Sequence, residues 1–156
     1  MIAERSKDSP KVISCPPLVF LAAFAIGWLL DWVFPVLRLP SPVPVVGGIL
    51  IVAGIALGMW GVRTMHRAGT AVRPRRPVTA LVTDGPFRYT RNPLYIALVT
   101  IYVGIILASG ALWPLATLIP ALWALRWKIV KGEEQFLEMK FGAAYRAYKA
   151  RVRRWV

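Results

Sequence analysis

The feature that most constrains the fold is the absence of any charged residue between Arg91 and Arg126. Two further apolar stretches, 18–34 and 43–65, precede it, and the first is interrupted only by Asp31. Gly110 and Pro114 predict a tight turn that divides the charge-free run into 94–109 and 111–125. A helix needs roughly 20 residues to cross the hydrocarbon layer of a membrane. The pattern therefore predicts an all-α integral membrane protein with about four transmembrane helices, the last two forming a helical hairpin.

The basic residues indicate which way the spans run. Of 20 Lys and Arg residues, only Arg38 lies on the opposite side from the rest if the four spans alternate. Because cytoplasmic loops are enriched in Lys and Arg, we expect a multi-pass protein of the inner, cytoplasmic membrane with both termini in the cytoplasm. One membrane domain, 1–156, then divides into a cytoplasmic lead (1–15), spans one and two (16–66), a cytosolic loop (67–93), the hairpin (94–127) and cytosolic C-terminal helices (128–156).

The composition limits the classes of partner that the protein is expected to bind. A net charge of +13 combined with 57% hydrophobic residues favours membrane lipids over nucleic acid, because the basic residues alternate with long apolar runs. The single Cys15 and the single His66 exclude an internal disulfide and make a metal site implausible. We expect neither metal nor nucleic acid as a partner.

The first polar segment that could bind a ligand or take part in a reaction is the loop before the third span. Thr90 or Asn92 is positioned to cap that helix, with Pro93 in its first turn. Free N–H groups at a helix start favour an anionic ligand, and Arg88 and Arg91 could add a bidentate clamp. The alternative is that both arginines only contact lipid headgroups. The residue types alone leave the two readings open.

The second polar segment follows the fourth span. Gly142 is expected to end the helix that begins near that span, so that a second helix turns back. Glu133 and Glu134 lie about one turn beyond the span. One of them could receive a cationic group such as an ammonium, or Glu134 could make an ordinary contact within its own helix. The pair alone does not decide between these.

Together these segments resemble the isoprenylcysteine carboxyl methyltransferase family and the related phospholipid methyltransferases. The resemblance runs from about residue 67 onward and rests on the RNP-x-Tyr element at 91–95, the Glu-Glu pair and the Phe-Gly-x-x-Tyr-x-x-Tyr pattern at 141–148. It implies S-adenosylmethionine as methyl donor, bound on the cytosolic side. By motif position it implies Arg91 and Glu134 as catalytic residues, and Arg154 near a cofactor pocket formed by Tyr89, Arg91, Asn92, Pro93, Tyr95, Glu133, Glu134, Tyr145, Tyr148 and Arg151.

The expected function is methyl transfer to a lipophilic acceptor at the cytosolic membrane face. A carboxylate acceptor needs no general base, whereas an amine or hydroxyl acceptor would draw on Glu134 or a tyrosine. Nothing in the spans distinguishes these acceptors. Two alternatives remain: an NADPH-dependent membrane reductase related to the sterol reductases, and a small membrane protein without enzymatic activity.

Overall fold

The computed structural model describes residues 16–35, 43–70 and 78–155. The cytoplasmic lead predicted at 1–15, including Cys15, lies outside this part of the chain, as does Arg38. Within it every regular element is helical, which confirms the all-α prediction. The elements are α1 (Pro16–Val33), α2 (Val43–Arg67), a 3₁₀ turn (Gly85–Arg88), α3 (Pro93–Ser109), α4 (Trp113–Ala124), a π-helical segment (Leu125–Val130), α5 (Lys131–Phe141) and α6 (Ala143–Arg151).

Two of these helices are long and apolar enough to cross a membrane. The best windows of α1 and α2 have mean hydropathies of 1.7 and 2.2, and 17% of each window is buried inside the protein. Their outward faces carry large side chains such as Leu21, Trp32 and Val52, each more than 60% exposed. A soluble protein rarely exposes so much contiguous apolar surface. The chain is therefore membrane-associated, while crossing by α3 (17 residues) and α4 (12 residues) stays a prediction.

Helices α2 and α3 pack in antiparallel contact along a glycine stripe. Gly47, Gly54 and Gly61 repeat every seven residues on one face of α2, and all three are buried. A Cβ atom at Gly47 would lie 2.6 Å from the carbonyl oxygen of Gly104 and 2.4 Å from the backbone nitrogen of Ala108. Small residues at such an interface let two helix backbones approach closely. The stripe therefore fixes how near α3 lies to α2.

The turn between α3 and α4 forms as the sequence predicts, with Gly110 in the left-handed conformation at φ 71°. The hairpin it closes is, however, loosely packed. Helix α3 packs along α2, whereas α4 packs along α1. The reason lies at Gly27 of α1, where a Cβ atom would come within 2.5 Å of the Cα of Pro114. Helices α3 and α4 therefore belong to two different antiparallel pairs.

A single helical path then runs from α4 through the π-helical segment into α5. Gly142, at φ 51°, ends it and allows α6 to turn back, as the sequence predicts. Leu125, Ile129 and Val130 are at most 1% exposed, while Arg126, Trp127 and Lys128 of the same segment face outward. This path carries Glu133 and Glu134 from the bundle to the site.

Candidate functional site

A cavity of about 400 Å³ lies at the end of the bundle where α1 and α3 begin and α2 ends. This volume falls within the roughly 300–1,000 Å³ of small-molecule pockets. Most of its wall is apolar, with contributions from Met65, Leu94 and Phe136. Polar side chains from four separate parts of the chain converge on it: Thr70, Arg91, Asn92, Tyr95, Glu133, Glu134, Tyr145 and Tyr148.

Glu134 is held between two arginines. The Arg154 guanidinium donates from Nε to Oε1 at 2.9 Å and from Nη2 to Oε2 at 2.6 Å. Nη1 of Arg91 lies 2.9 Å from the same Oε1. Glu134 is 7% exposed, and a buried carboxylate is stable only when it is paired and hydrogen-bonded. Both of its oxygens are therefore already occupied by protein groups.

Arg91 has hydrogen-bonding capacity to spare. Its buried Nε and Nη1 atoms make no hydrogen bond among the described residues, although Nη1 forms the ion pair with Glu134. Its guanidinium also hydrogen-bonds to the side chain of Tyr145. Buried donors normally find an acceptor. An unsatisfied guanidinium on a cavity wall fits an anionic ligand group such as a carboxylate.

Glu133 meets different surroundings from its neighbour. Its carboxylate accepts a hydrogen bond from the Tyr95 hydroxyl, 2.7 Å from both oxygens. Burial raises the pKa of Glu133, and the Tyr95 hydrogen bond offsets part of that rise. Glu133 has no salt bridge to a basic side chain within the described residues. A desolvated carboxylate on a cavity wall fits a cationic ligand group.

Two tyrosines of α6 close the cavity opposite α3. Tyr145 is 1% exposed and Tyr148 is 4% exposed. The Tyr148 hydroxyl donates to the carbonyl oxygen of Phe87 at 2.8 Å, which ties α6 to the 3₁₀ turn. Burial raises the pKa of both phenols, so both remain protonated at neutral pH. They serve as neutral walls and hydrogen-bond donors.

The residues after α6 form a strap, 152–155, across the start of α3. The backbone N–H of Arg91 donates to the carbonyl of Arg153 at 3.0 Å. The carbonyl of Arg154 accepts from Asn92 Nδ2 at 2.9 Å and from Thr90 Oγ1 at 3.2 Å. Asn92 is thus the N-terminal cap of α3 by position, yet its side chain binds the strap instead of the helix start. The RNP-x-Tyr element and the strap hold each other in place.

The start of α3 presents fewer free backbone N–H groups to an anion than its position suggests. Pro93 has no N–H, and the N–H groups of Tyr95 and Ile96 both donate to the carbonyl of Asn92. An anionic group at this end would therefore depend on the Arg91 guanidinium more than on free backbone N–H groups.

The cavity gathers most, but not all, of the residues named from sequence. Arg91, Asn92, Pro93, Tyr95, Glu133, Glu134, Tyr145 and Tyr148 line it. Tyr89 does not: it is 72% exposed and lies against the ring of Trp60 at a centroid distance of 6.5 Å. Arg151 is also exposed and away from the wall. Arg88, the other half of the expected clamp, is exposed as well.

Sequence reasoning missed the strap's carbonyl groups, and it named Thr90 only as a possible helix cap, whereas its hydroxyl donates to the carbonyl of Arg154. No residue-type signal marks a backbone carbonyl. Sequence reasoning also did not single out the wall residues Met65, Leu81 and Leu98, because apolar residues on a cavity wall resemble those that face lipid.

Comparison with known proteins gives a significant match to a protein family. A sequence model of the phospholipid methyltransferase family matches residues 43–144, which covers most of the chain and includes both the RNP-x-Tyr element and the Glu-Glu pair. No curated protein and no solved structure matches the chain significantly. The family is one of membrane methyltransferases and includes the isoprenylcysteine carboxyl methyltransferases, so the expected kinship is confirmed at this level. Because the match covers more than half of the chain, the chain belongs to the phospholipid methyltransferase family.

Proposed function

We propose that the protein transfers a methyl group from S-adenosylmethionine to a lipophilic acceptor at the cytosolic face of the inner membrane. The observation that carries the proposal is the convergence of Arg91, Glu133 and Glu134 on one cavity. These residues come from motifs about 40 positions apart in the chain. Family membership supports the reaction class, and the charges in the cavity support the donor.

The donor's chemistry matches the groups in the cavity. S-adenosylmethionine has a carboxylate and an ammonium on one carbon, and supplies an electrophilic methyl group on its sulfonium. Arg91, whose buried Nε has no hydrogen-bond partner in the described part of the chain, would bind the carboxylate. Glu133, desolvated and hydrogen-bonded to Tyr95, would bind the ammonium. Methyl transfer is a direct displacement, so positioning and exclusion of water can supply much of the catalysis.

The two carboxylates then have separate roles. Because both oxygens of Glu134 already meet Arg154 and Arg91, we assign Glu134 to holding the arginines in place. We assign ligand contact to Glu133. Arg91 links the two assignments, because its Nη1 lies 2.9 Å from Glu134 while its buried Nε has no hydrogen-bond partner among the described residues.

The acceptor would reach the cavity from the lipid layer. Pro16 and Pro17 at the start of α1, Met65 at the end of α2 and Leu98 of α3 form the apolar wall. The two helix pairs meet mainly through α1 and α3, and within the described residues the ends of α1 and α2 that border the cavity do not pack against each other. An apolar substituent could lie in this gap while its reactive end meets the donor. Carboxylate, amine and hydroxyl acceptors all remain within the proposal.

The test is a binding titration of the purified protein in detergent with S-adenosylhomocysteine and, separately, NADPH. We expect saturable binding and a raised melting temperature with the first ligand only. Arg91→Gln should weaken that binding at least about tenfold, the loss expected when a charge-assisted hydrogen bond of about 1.5–3 kcal/mol is removed. Arg88→Gln is the matched control, since it removes the same charge from an exposed position three residues away.

Absence of S-adenosylhomocysteine binding to folded wild-type protein would overturn the proposal. Binding of NADPH instead would support a reductase. Equal losses in Arg91→Gln and Arg88→Gln would refute the assigned site, because only the first residue lines the cavity.

A further inference from the structure

A second concave site lies on a face of α3 that borders α4. It is a groove of about 300 Å³ between α3 and α4, bordered by Ile96, Val99, Thr100, Leu122, Leu125, Arg126 and Trp155. The two helices that border the groove pack chiefly against different partners, α3 against α2 and α4 against α1. We call it the α3/α4 groove. None of its residues lines the cavity.

The groove is apolar along its length and cationic at one end. Ile96, Val99 and Leu122 form its sides, and Leu125, 0% exposed, forms part of its floor. Arg126 stands at the end nearest the cavity side of the bundle. A binding partner with an apolar tail and an anionic head would match both parts of this surface.

Further basic groups reinforce that end. Arg126 Cζ and Lys131 Nζ lie 5.6 Å and 5.3 Å from the ring centroid of Trp127. Trp127 is 50% exposed, and Lys128 is exposed beside it. In the part of the chain that the structure describes, no carboxylate pairs with Arg126, Lys128 or Lys131. Within that part of the chain, these charges are not neutralised by a carboxylate.

The π-helical segment explains why the cations gather there. It places Arg126, Trp127 and Lys128 outward together while Leu125, Ile129 and Val130 stay in the core. Tryptophan and basic residues typically mark the membrane–water interface. The level of Arg126 is thus that of lipid headgroups, if α4 lies in the membrane as proposed above.

We propose that the α3/α4 groove binds one anionic phospholipid, with an acyl chain along Ile96, Val99 and Leu122 and the headgroup phosphate at Arg126. The proposal rests on the membrane placement in the proposed function, but not on the methyl donor. It concerns a bound lipid distinct from the acceptor, because the groove and the cavity lie on different faces of α3.

The strap connects this lipid to the methyl-transfer site. Trp155 forms part of the groove wall and packs against the buried core. Its neighbour Arg154 holds Glu134 through two hydrogen bonds. A lipid that packs on Trp155 therefore stabilises the strap, and with it the orientation of Arg91.

The test compares phosphatidylglycerol with phosphatidylcholine of identical acyl chains. Each is titrated into delipidated, detergent-solubilised protein, and the bound fraction is measured by native mass spectrometry. We expect the first complex with phosphatidylglycerol to be several-fold tighter. Arg126→Gln should weaken it about fivefold, the effect of one basic residue near a lipid headgroup. Arg146→Gln, which removes an exposed charge from α6, should leave it unchanged.

A second pair of variants tests the acyl chain. Leu122→Trp fills the groove at a position 37% exposed, while Ile119→Trp adds the same bulk on the same helix at a position 71% exposed and outside the groove. Only Leu122→Trp should reduce binding of both lipids. Melting temperatures of all variants confirm folding.

Three outcomes would overturn the lipid site: equal affinity for the two lipids, equal losses in Arg126→Gln and Arg146→Gln, or no effect of Leu122→Trp. S-adenosylhomocysteine binding is measured on the same samples. Loss of that binding with lipid preference intact would refute the methyl donor and leave the lipid site standing.

Discussion

Glu133 and Glu134 follow one another in the chain yet have opposite surroundings. Glu134 meets two guanidinium groups, whereas Glu133 meets one phenol and an apolar wall. Helical geometry turns successive side chains by about 100°, so neighbours point in different directions. Separate functions for the two carboxylates follow from this difference.

For Glu133 we predict that stability and ligand affinity respond to pH in opposite senses. Its pKa is raised from an ordinary value of 4.5 by burial, so the folded state binds the proton more tightly than the unfolded state. Stability should fall as pH rises from the pKa of Glu133 in the unfolded state to its higher pKa in the folded state. S-adenosylhomocysteine affinity should instead rise there, because the ammonium needs the charged carboxylate.

Glu133→Gln provides the matched comparison. The variant should melt higher than wild type above this pH window and bind S-adenosylhomocysteine weakly at every pH. The measurements are melting temperature and affinity from pH 4 to 8. A wild-type affinity that does not depend on pH would contradict the role given to Glu133.

For Arg154 we predict a loss of stability together with a loss of ligand affinity. Arg154→Gln leaves the buried Glu134 with Arg91 alone. Breaking a buried pair costs roughly 3–5 kcal/mol, and we expect about 1–3 kcal/mol here because the Arg154 side chain is 32% exposed. Lys149→Gln, which breaks the exposed Lys149–Glu138 pair, should cost at most about 1 kcal/mol. Similar losses in both variants, measured by chemical unfolding in detergent, would argue against a special role for Arg154.

At the scale of elements, the glycine stripe sets the distance between α2 and α3. We predict that Gly47→Ala destabilises the protein by about 1–3 kcal/mol through overpacking against Gly104 and Ala108. Gly48→Ala makes the same change one residue later, where nothing lies within 4 Å of the added Cβ. It should be neutral or stabilise by about 0.5–1 kcal/mol, since Gly weakens a helix interior relative to Ala. Equal melting temperatures for the two variants would contradict the packing.

Sequence predicts elements here better than it predicts their partners. The hydrophobic stretches locate α1 to α4, and Gly110 and Gly142 locate two of the turns, because these signals are local. The pairing of α1 with α4 depends on the close approach of Gly27 and Pro114, which no periodicity reveals. The same holds at the site: residue types identify Arg91 and the Glu pair, but only the folded backbone shows that Arg154 satisfies Glu134 while Glu133 is left facing the cavity.

At the scale of the whole molecule, the cavity end of the bundle should face the cytoplasm. In a Cys15→Ser background, Arg146→Cys marks that end and Pro35→Cys marks the other; both positions are exposed. A membrane-impermeant maleimide should label Pro35→Cys in right-side-out vesicles and Arg146→Cys in inverted ones. If both cysteines were labelled in the same vesicle type, the chain would cross the membrane an even number of times between the two positions. That result would contradict the proposed orientation.

The π-helical segment has a consequence for how relatives are compared. A π-helical turn accommodates a residue more than an α-helical turn. Deleting Lys128 would let this turn revert to α-helical winding and leave Glu133 and Glu134 facing Arg91, because the wider turn absorbs the extra residue. A homologue that lacks this turn would therefore reach the same arrangement with one residue fewer between α4 and its acidic pair, and an ungapped alignment across 125–130 would equate residues that face different directions.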